Sequence, residues 1–178
     1  MSLAPGLNGP LNTAEDRTRI AEQERQLAFP AFDAHAAWSL GNTLRRLAVE
    51  RNYSLVIDIR RFGTPSEQLF YAALPGTTPD NGRWVQRKSN VVARFHRSSY
   101  AVGLALSESD TTLAEKYALP EADYATHGGA FPLSVTGAGI LGSITVSGLP
   151  QRADHELVVE ALCLELNRDY AALKLRSI

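Results

Sequence analysis

One cysteine, Cys163, stands in 178 residues, so no disulfide can form within the chain and no Cys-rich metal cluster can assemble. Neither charge sign dominates: 18 Lys and Arg face 19 Asp and Glu, which gives a net charge of -1 and a pI near 6.4. That balance removes the electrostatic case for nucleic-acid binding, since such domains tend to lie above about pI 9. Long apolar runs are missing too. Stretches such as Ala101 to Leu106 fall far short of the roughly 18 residues a transmembrane helix needs, so no membrane partner is expected. Met1 to Pro10 has neither the basic nor the apolar segment of a signal peptide, and a cytoplasmic protein is the expectation.

What is present is an ordinary globular composition, 44% hydrophobic and 21% charged. The length suits one domain. Pro5, Gly6, Gly9 and Pro10 suit a flexible tail over residues 1–12, which leaves a single domain over 13–178. Thr13, with Glu15 and Asp16 behind it, opens a helix expected to run until Pro30. Asp33 caps a second helix whose Ala37, Leu40, Leu44, Leu47 and Ala48 recur at helical spacing.

Ser54 to Arg60 reads as a strand with Leu55, Ile57 and Ile59 on one face and Val56, Asp58 and Arg60 on the other. If the second face is covered, Asp58 needs a partner such as Arg60. Gly63 to Pro65 turns the chain into a second strand, Gln68 to Leu74, and Pro75 to Gly82 is a loop. One long helix is expected next, with Trp84, Lys88, Val91, Val92 and Phe95 along one side and continuing towards Tyr100, Val102 and Leu106. A short helix covers Leu113 to Tyr117. Phe131 to Val135 and Ile140 to Val146 then form a second hairpin around Gly137-Ala138-Gly139, where glycine permits positive φ. Asp154 is expected to cap a last helix that carries Leu157 to Tyr170. Hairpin strands with amphipathic helices indicate an α+β fold: an antiparallel sheet covered by helices.

The most distinctive string is His127-Gly128-Gly129-Ala130-Phe131-Pro132, followed by Gly142-Ser143-Ile144-Thr145-Val146-Ser147-Gly148 and Asp154-His155-Glu156. With Asp80-Asn81-Gly82-Arg83-Trp84, Arg87-Lys88 and Ser147-Gly148-Leu149-Pro150-Gln151, it resembles the HbpS-like/GlcG-like family. That family includes the C-terminal domain of PduO-type proteins and a cytoplasmic branch of haem-degrading-domain proteins. The resemblance spans roughly Arg25 to Tyr170. It implies a profilin-like sheet sandwiched by helices, assembly into homo-oligomers from dimers to larger rings, and haem as the candidate cofactor, bound in some members and degraded in a few.

Residue by residue, two readings stand beside each other. The glycines of His127-Gly128-Gly129 let a backbone approach a ligand closely, and His127 can ligate haem iron or move a proton; equally, the string can be a tight start to a strand. His96 lies beside Arg94 and Arg97 and faces either a pocket or water, while His35 reads as a surface residue and His155 as a helix-start residue. Arg87 and Lys88, with Arg83, Arg94 and Arg97, form a basic segment that suits either a small anionic or planar ligand or a solvated or subunit-facing helix side. Trp84 is core or a stacking platform, and Asn81 is a ligand contact or a helix cap. No His-Glu-x-x-His, phosphate loop, nucleophile elbow or catalytic Cys-His signature occurs, and Cys163 reads as inert packing. Two functions follow: an oligomeric small-molecule-binding protein that handles haem, or a non-enzymatic oligomeric scaffold.

Overall fold

A computed structural model describes residues 13–176; the tail expected over residues 1–12 lies outside them. The chain runs α1 (Thr13–Gln26), α2 (Ala34–Glu50), β1 (Val56–Arg61), β2 (Glu67–Ala73), α3 (Pro79–Phe95), α4 (Ser99–Glu108), α5 (Leu113–Tyr117), β3 (Ala130–Val135), β4 (Gly139–Ser147), α6 (Gln151–Glu165) and α7 (Tyr170–Leu173). The four strands form one antiparallel sheet in the order β2-β1-β4-β3. Both expected hairpins are there, and β1 and β4 pair at the centre, with Asp58 opposite Thr145.

The two faces of the sheet are covered by different chemistry. On one face Ile57, Ile59, Ile144 and Val146 pack against Leu40 and Leu44 of α2 and Leu157 and Leu162 of α6. Each such side chain removed from water contributes roughly 1.5–3 kcal/mol. On the other face α3 covers a polar layer. Ser89 and Ser143 share a hydroxyl–hydroxyl bond of 2.7 Å, and Arg60 donates from Nε and Nη2 to the two oxygens of buried Asp58 at 2.6 and 2.9 Å. Arg60 is the partner foreseen for Asp58, and Gln68 Nε2 also donates to Asp58 Oδ2 at 2.6 Å. This is the α+β sandwich that the strand and helix pattern indicated.

Several element boundaries differ from the sequence reading; α3 begins at Pro79, behind a Thr78–Asn81 capping box, inside the loop expected to run to Gly82. The long helix after the second strand is two helices. His96 adopts the left-handed region at φ 53 and closes α3, and the Ser98 side chain accepts from Ala101 N to start α4. Glu24 of α1 pins the break by accepting from Ser98 N at 2.8 Å and from Arg97 Nε. At the C-terminal end, Asn167 at φ 51 stops α6, and Tyr170 belongs to a separate short helix that Asp169 caps. The first helix ends at Gln26, because Phe29 N donates to Ser134 O and draws the chain alongside β3.

Candidate ligand-binding cleft

The ends of three elements meet at one place. β4 finishes at Ser147, Gly148-Leu149-Pro150 turns the chain, and α6 starts at Gln151. Beside them, His127-Gly128-Gly129 leads into β3, and the first half of α3 passes alongside. A cleft of about 400 Å³ opens there, with Trp84, Lys88, His127, Ser147, Gln151 and Asp154 in its wall. His127 and Lys88, 39 positions apart in sequence, face the same concave space.

At the base of the cleft the Lys88 ammonium donates to Asp154 Oδ2 at 2.8 Å and to Val146 O at 3.3 Å. Both side chains of this pair are almost wholly buried. Burial drives Lys88 below the ordinary lysine range and Asp154 above the ordinary carboxyl range, while their mutual attraction opposes both shifts. Asp154 also accepts from Leu149 N at 3.0 Å and Gly148 N at 3.3 Å. It is therefore not the cap of α6, whose N-cap position is Pro150, but the anchor of the turn before that helix.

The two glycines serve the chain's own packing. A Cβ on Gly128 would lie 2.1 Å from Gln151 O, and one on Gly129, at φ +130, would lie 2.4 Å from Val146 O and 2.8 Å from Lys88 Nζ. Their absent side chains let β3 start hard against α6 and the Lys88–Asp154 pair. The Asn81 amide closes the capping box at the start of α3 by accepting from Thr78 N at 2.8 Å, and it donates to Ser147 O at 3.4 Å.

Trp84 and His127 form a shared partition, with ring centroids 5.0 Å apart and planes at 83°. On its far side a second cleft of about 400 Å³ has a more apolar wall, including Leu106, Leu113 and Tyr124. Arg87 stacks there with its guanidinium carbon 4.5 Å from the Trp84 centroid and donates from Nε to Glu121 O at 2.7 Å. The His127 imidazole is exposed at the rim. Partial burial of the ring, then the nearby Lys88 and Arg87 cations, hold it below the ordinary histidine value, so it is neutral at neutral pH. His96 is elsewhere: exposed at the far end of α3, 12 residues or roughly 18 Å along the helix from Trp84.

Sequence reasoning did not single out Ser147 or Gln151 as site residues and gave Asp154 a capping role. All three stand in the Ser147-Gly148-Leu149-Pro150-Gln151 and Asp154-His155 strings. Only the docking of β3 against α6 shows that these line a cavity. A neutral, exposed imidazole is a competent iron donor, and Arg83 and Arg87 have no carboxylate partner among the described residues. Among those residues no group of three or more His, Cys, Asp or Glu could hold a bare metal ion. The chemistry of the partition and the outer cleft thus fits haem: one imidazole, an aromatic wall and the Arg87 guanidinium, which has no carboxylate partner among the described residues.

A UPF0303 protein of Acidobacterium capsulatum is 60% identical over 93% of this chain and 98% of its own length. Among solved structures, the Ybr137w protein superposes with a TM-score of 0.77 at 29% identity, over 85% of this chain and 87% of that one. A PduOC–haem complex superposes with a TM-score of 0.63 at 14% identity, over 79% of this chain and 98% of that one, which shows a shared fold. The family of haem-degrading HbpS-like proteins matches residues 32–163, so with the fold and the string around His127 in place, the chain belongs to the HbpS-like family.

Proposed function

We propose that this protein is a small-molecule-binding protein, cytoplasmic and built as one domain over residues 13–178, whose ligand site is the partition formed by Trp84 and His127. The observation that carries this reading is the convergence of His127, Trp84 and Lys88 on one concave wall, with Arg87 stacked behind the indole. Haem is the ligand proposed, supported by the family and by the relative solved with haem. His127 would hold the iron, and Arg87 would meet a propionate. Bound haem would supply the redox chemistry of iron and O₂; the chain itself contributes an imidazole held neutral and a partly shielded aromatic wall.

A homo-oligomer is part of the proposal. Trp38 on α2 is 66% exposed and Leu164 on α6 is 52% exposed, apolar surface that a subunit contact would cover. The same surface supports the second reading, a scaffold that uses this fold without a cofactor.

Hemin titration of the purified protein tests the choice. The expected result is a saturable, sharpened Soret band that bleaches with ascorbate in air, and a weaker, broader band in His127→Ala. A broad, non-saturating spectrum in the parent protein removes the haem reading and leaves the scaffold. An unchanged titration in His127→Ala removes His127 from the site.

A further inference from the structure

The inner cleft, on the Lys88 side of Trp84, has a chemistry of its own. Its wall includes the first turn of α6, a helix of 15 residues that no side chain caps. Ala153 N and Asp154 N donate to Pro150 O, whereas Gln151 N and Arg152 N have no acceptor among the described residues. Beside them stands Ser147, 5% exposed. It shares the α3-facing side of β4 with Ser143, which bonds Ser89 of α3, and it lines the cleft, yet its hydroxyl has no hydrogen-bond partner among the described residues. Lys88 completes the set: an ammonium has three N–H groups, and Asp154 and Val146 O take two. Unused donors of three kinds therefore meet at one recess, on the lining residues Gln151, Ser147 and Lys88, whereas the fully buried side-chain atoms without a partner among the described residues are Thr145 Oγ1 and His155 Nδ1.

From this we infer that the inner cleft is a carboxylate-binding pocket, in which the N-terminus of α6, with Gln151 N in the wall, the Ser147 hydroxyl and the free Lys88 N–H hold one small monoanion. Charge selects the class. Lys88 and Asp154 cancel, and the Arg152 guanidinium is already committed to Asp16. What remains is the partial positive charge of the helix terminus, enough for one negative charge. A dianionic phosphate would bring its second charge up to the Asp154 carboxylate, and a planar carboxylate can share its two oxygens among the Gln151 N–H, the Ser147 hydroxyl and the Lys88 N–H. The carboxylate is either that of a free small acid or a propionate of a haem held at the partition, and the second source rests on the haem reading above.

The test is a titration of the ¹⁵N-labelled protein with sodium acetate, against sodium chloride and sodium phosphate at equal ionic strength. Expected are saturable shifts of the Gln151 and Arg152 amides with acetate alone. Ser147→Ala, which removes a hydroxyl the fold does not use, weakens acetate about five- to tenfold, the worth of one such hydrogen bond. Gln151→Pro deletes one donor at the first helical position, where proline is well tolerated, and also weakens it. Shifts as large with chloride, tighter binding of phosphate, or unchanged affinity in both variants overturn the inference. Hemin and its dimethyl ester separate the two sources: acetate competing with hemin but not with the ester puts a propionate in the pocket, and acetate binding alongside hemin assigns it to a free acid. Failure of hemin to bind ends the haem reading and leaves the acetate result standing.

Discussion

Lys88 on α3 and Asp154 on α6, 66 positions apart, meet at 2.8 Å with both side chains almost fully withdrawn from water. The pair joins the helix on one face of the sheet to the helix on the other, past the ends of β3 and β4. A buried pair of this kind costs heavily when one member is lost, because the other charge is stranded. Lys88→Met should therefore destabilise the protein by about 3–5 kcal/mol. Lys88→Met with Asp154→Asn should recover at least half of that loss in urea denaturation. If the double variant is no more stable than the single, stranded charge is not the cause.

Gly129 is confined by conformation and by space together, at φ +130 with Val146 O and Lys88 Nζ where a Cβ would sit. Gly129→Ala should cost about 2–5 kcal/mol, from backbone strain and overpacking combined. Thermal unfolding measures it. A loss below about 1 kcal/mol would mean that β3 starts with more slack than the close contacts indicate.

His155 is fully buried, with Nε2 2.8 Å from Gln23 Oε1 and no partner for Nδ1 among the described residues. Burial first, and then the Arg152 cation, push its pKa down to about 3, below the ordinary value of 6.5. Above pH 6.5 neither the folded nor the unfolded chain carries a proton there, and its full contribution is present. As the pH falls the unfolded chain takes up the proton first, so stability drops progressively between about pH 6.5 and 3, by roughly 4–5 kcal/mol in all. Asp154 and Glu156, whose carboxyls are raised by burial, act in the opposite direction over the acid range. Comparing stability with His155→Gln from pH 7 to pH 4 isolates the histidine. Parallel curves would remove it as the source.

Cys163 is 1% exposed in α6, and burial pushes its thiol up to about 11. The thiolate needed for alkylation is scarce and shielded at pH 7.5. Iodoacetamide should leave Cys163 unmodified in the native protein and modify it fully in urea, as read by mass spectrometry. Rapid native labelling would mean that α6 opens readily.

Much of the fold was legible before any coordinates. Asp33 caps α2 by accepting from Ala36 N, Gly137 and Gly139 take the positive φ their hairpin needs, and the alternation along β1 sorted Ile57 and Ile59 from Asp58. These are local facts, decided by side-chain period and backbone freedom within a few residues. The break at His96 was hidden because apolar spacing runs through it, and a contact with Glu24, more than 70 positions away, secures it.

For the site, the sequence by itself determined the candidates and the family: the His127 string, Trp84, Arg87 and Lys88 all stand in motifs readable in one dimension. It also placed Cys163 in an apolar stripe, where the structure buries it. Only the tertiary structure decided how these residues are used. It divided them between the two sides of the Trp84–His127 partition, spent Lys88 on Asp154, turned the glycines into packing contacts, left His96 at the far end of α3, and brought Ser147 and Gln151 to the cavity. The physical reason is that local pattern states which residues share a face of one element, whereas a cleft is made where the ends of several elements meet. Which ends meet here follows from β3 docking on the N-terminus of α6, a packing event between segments more than 20 residues apart.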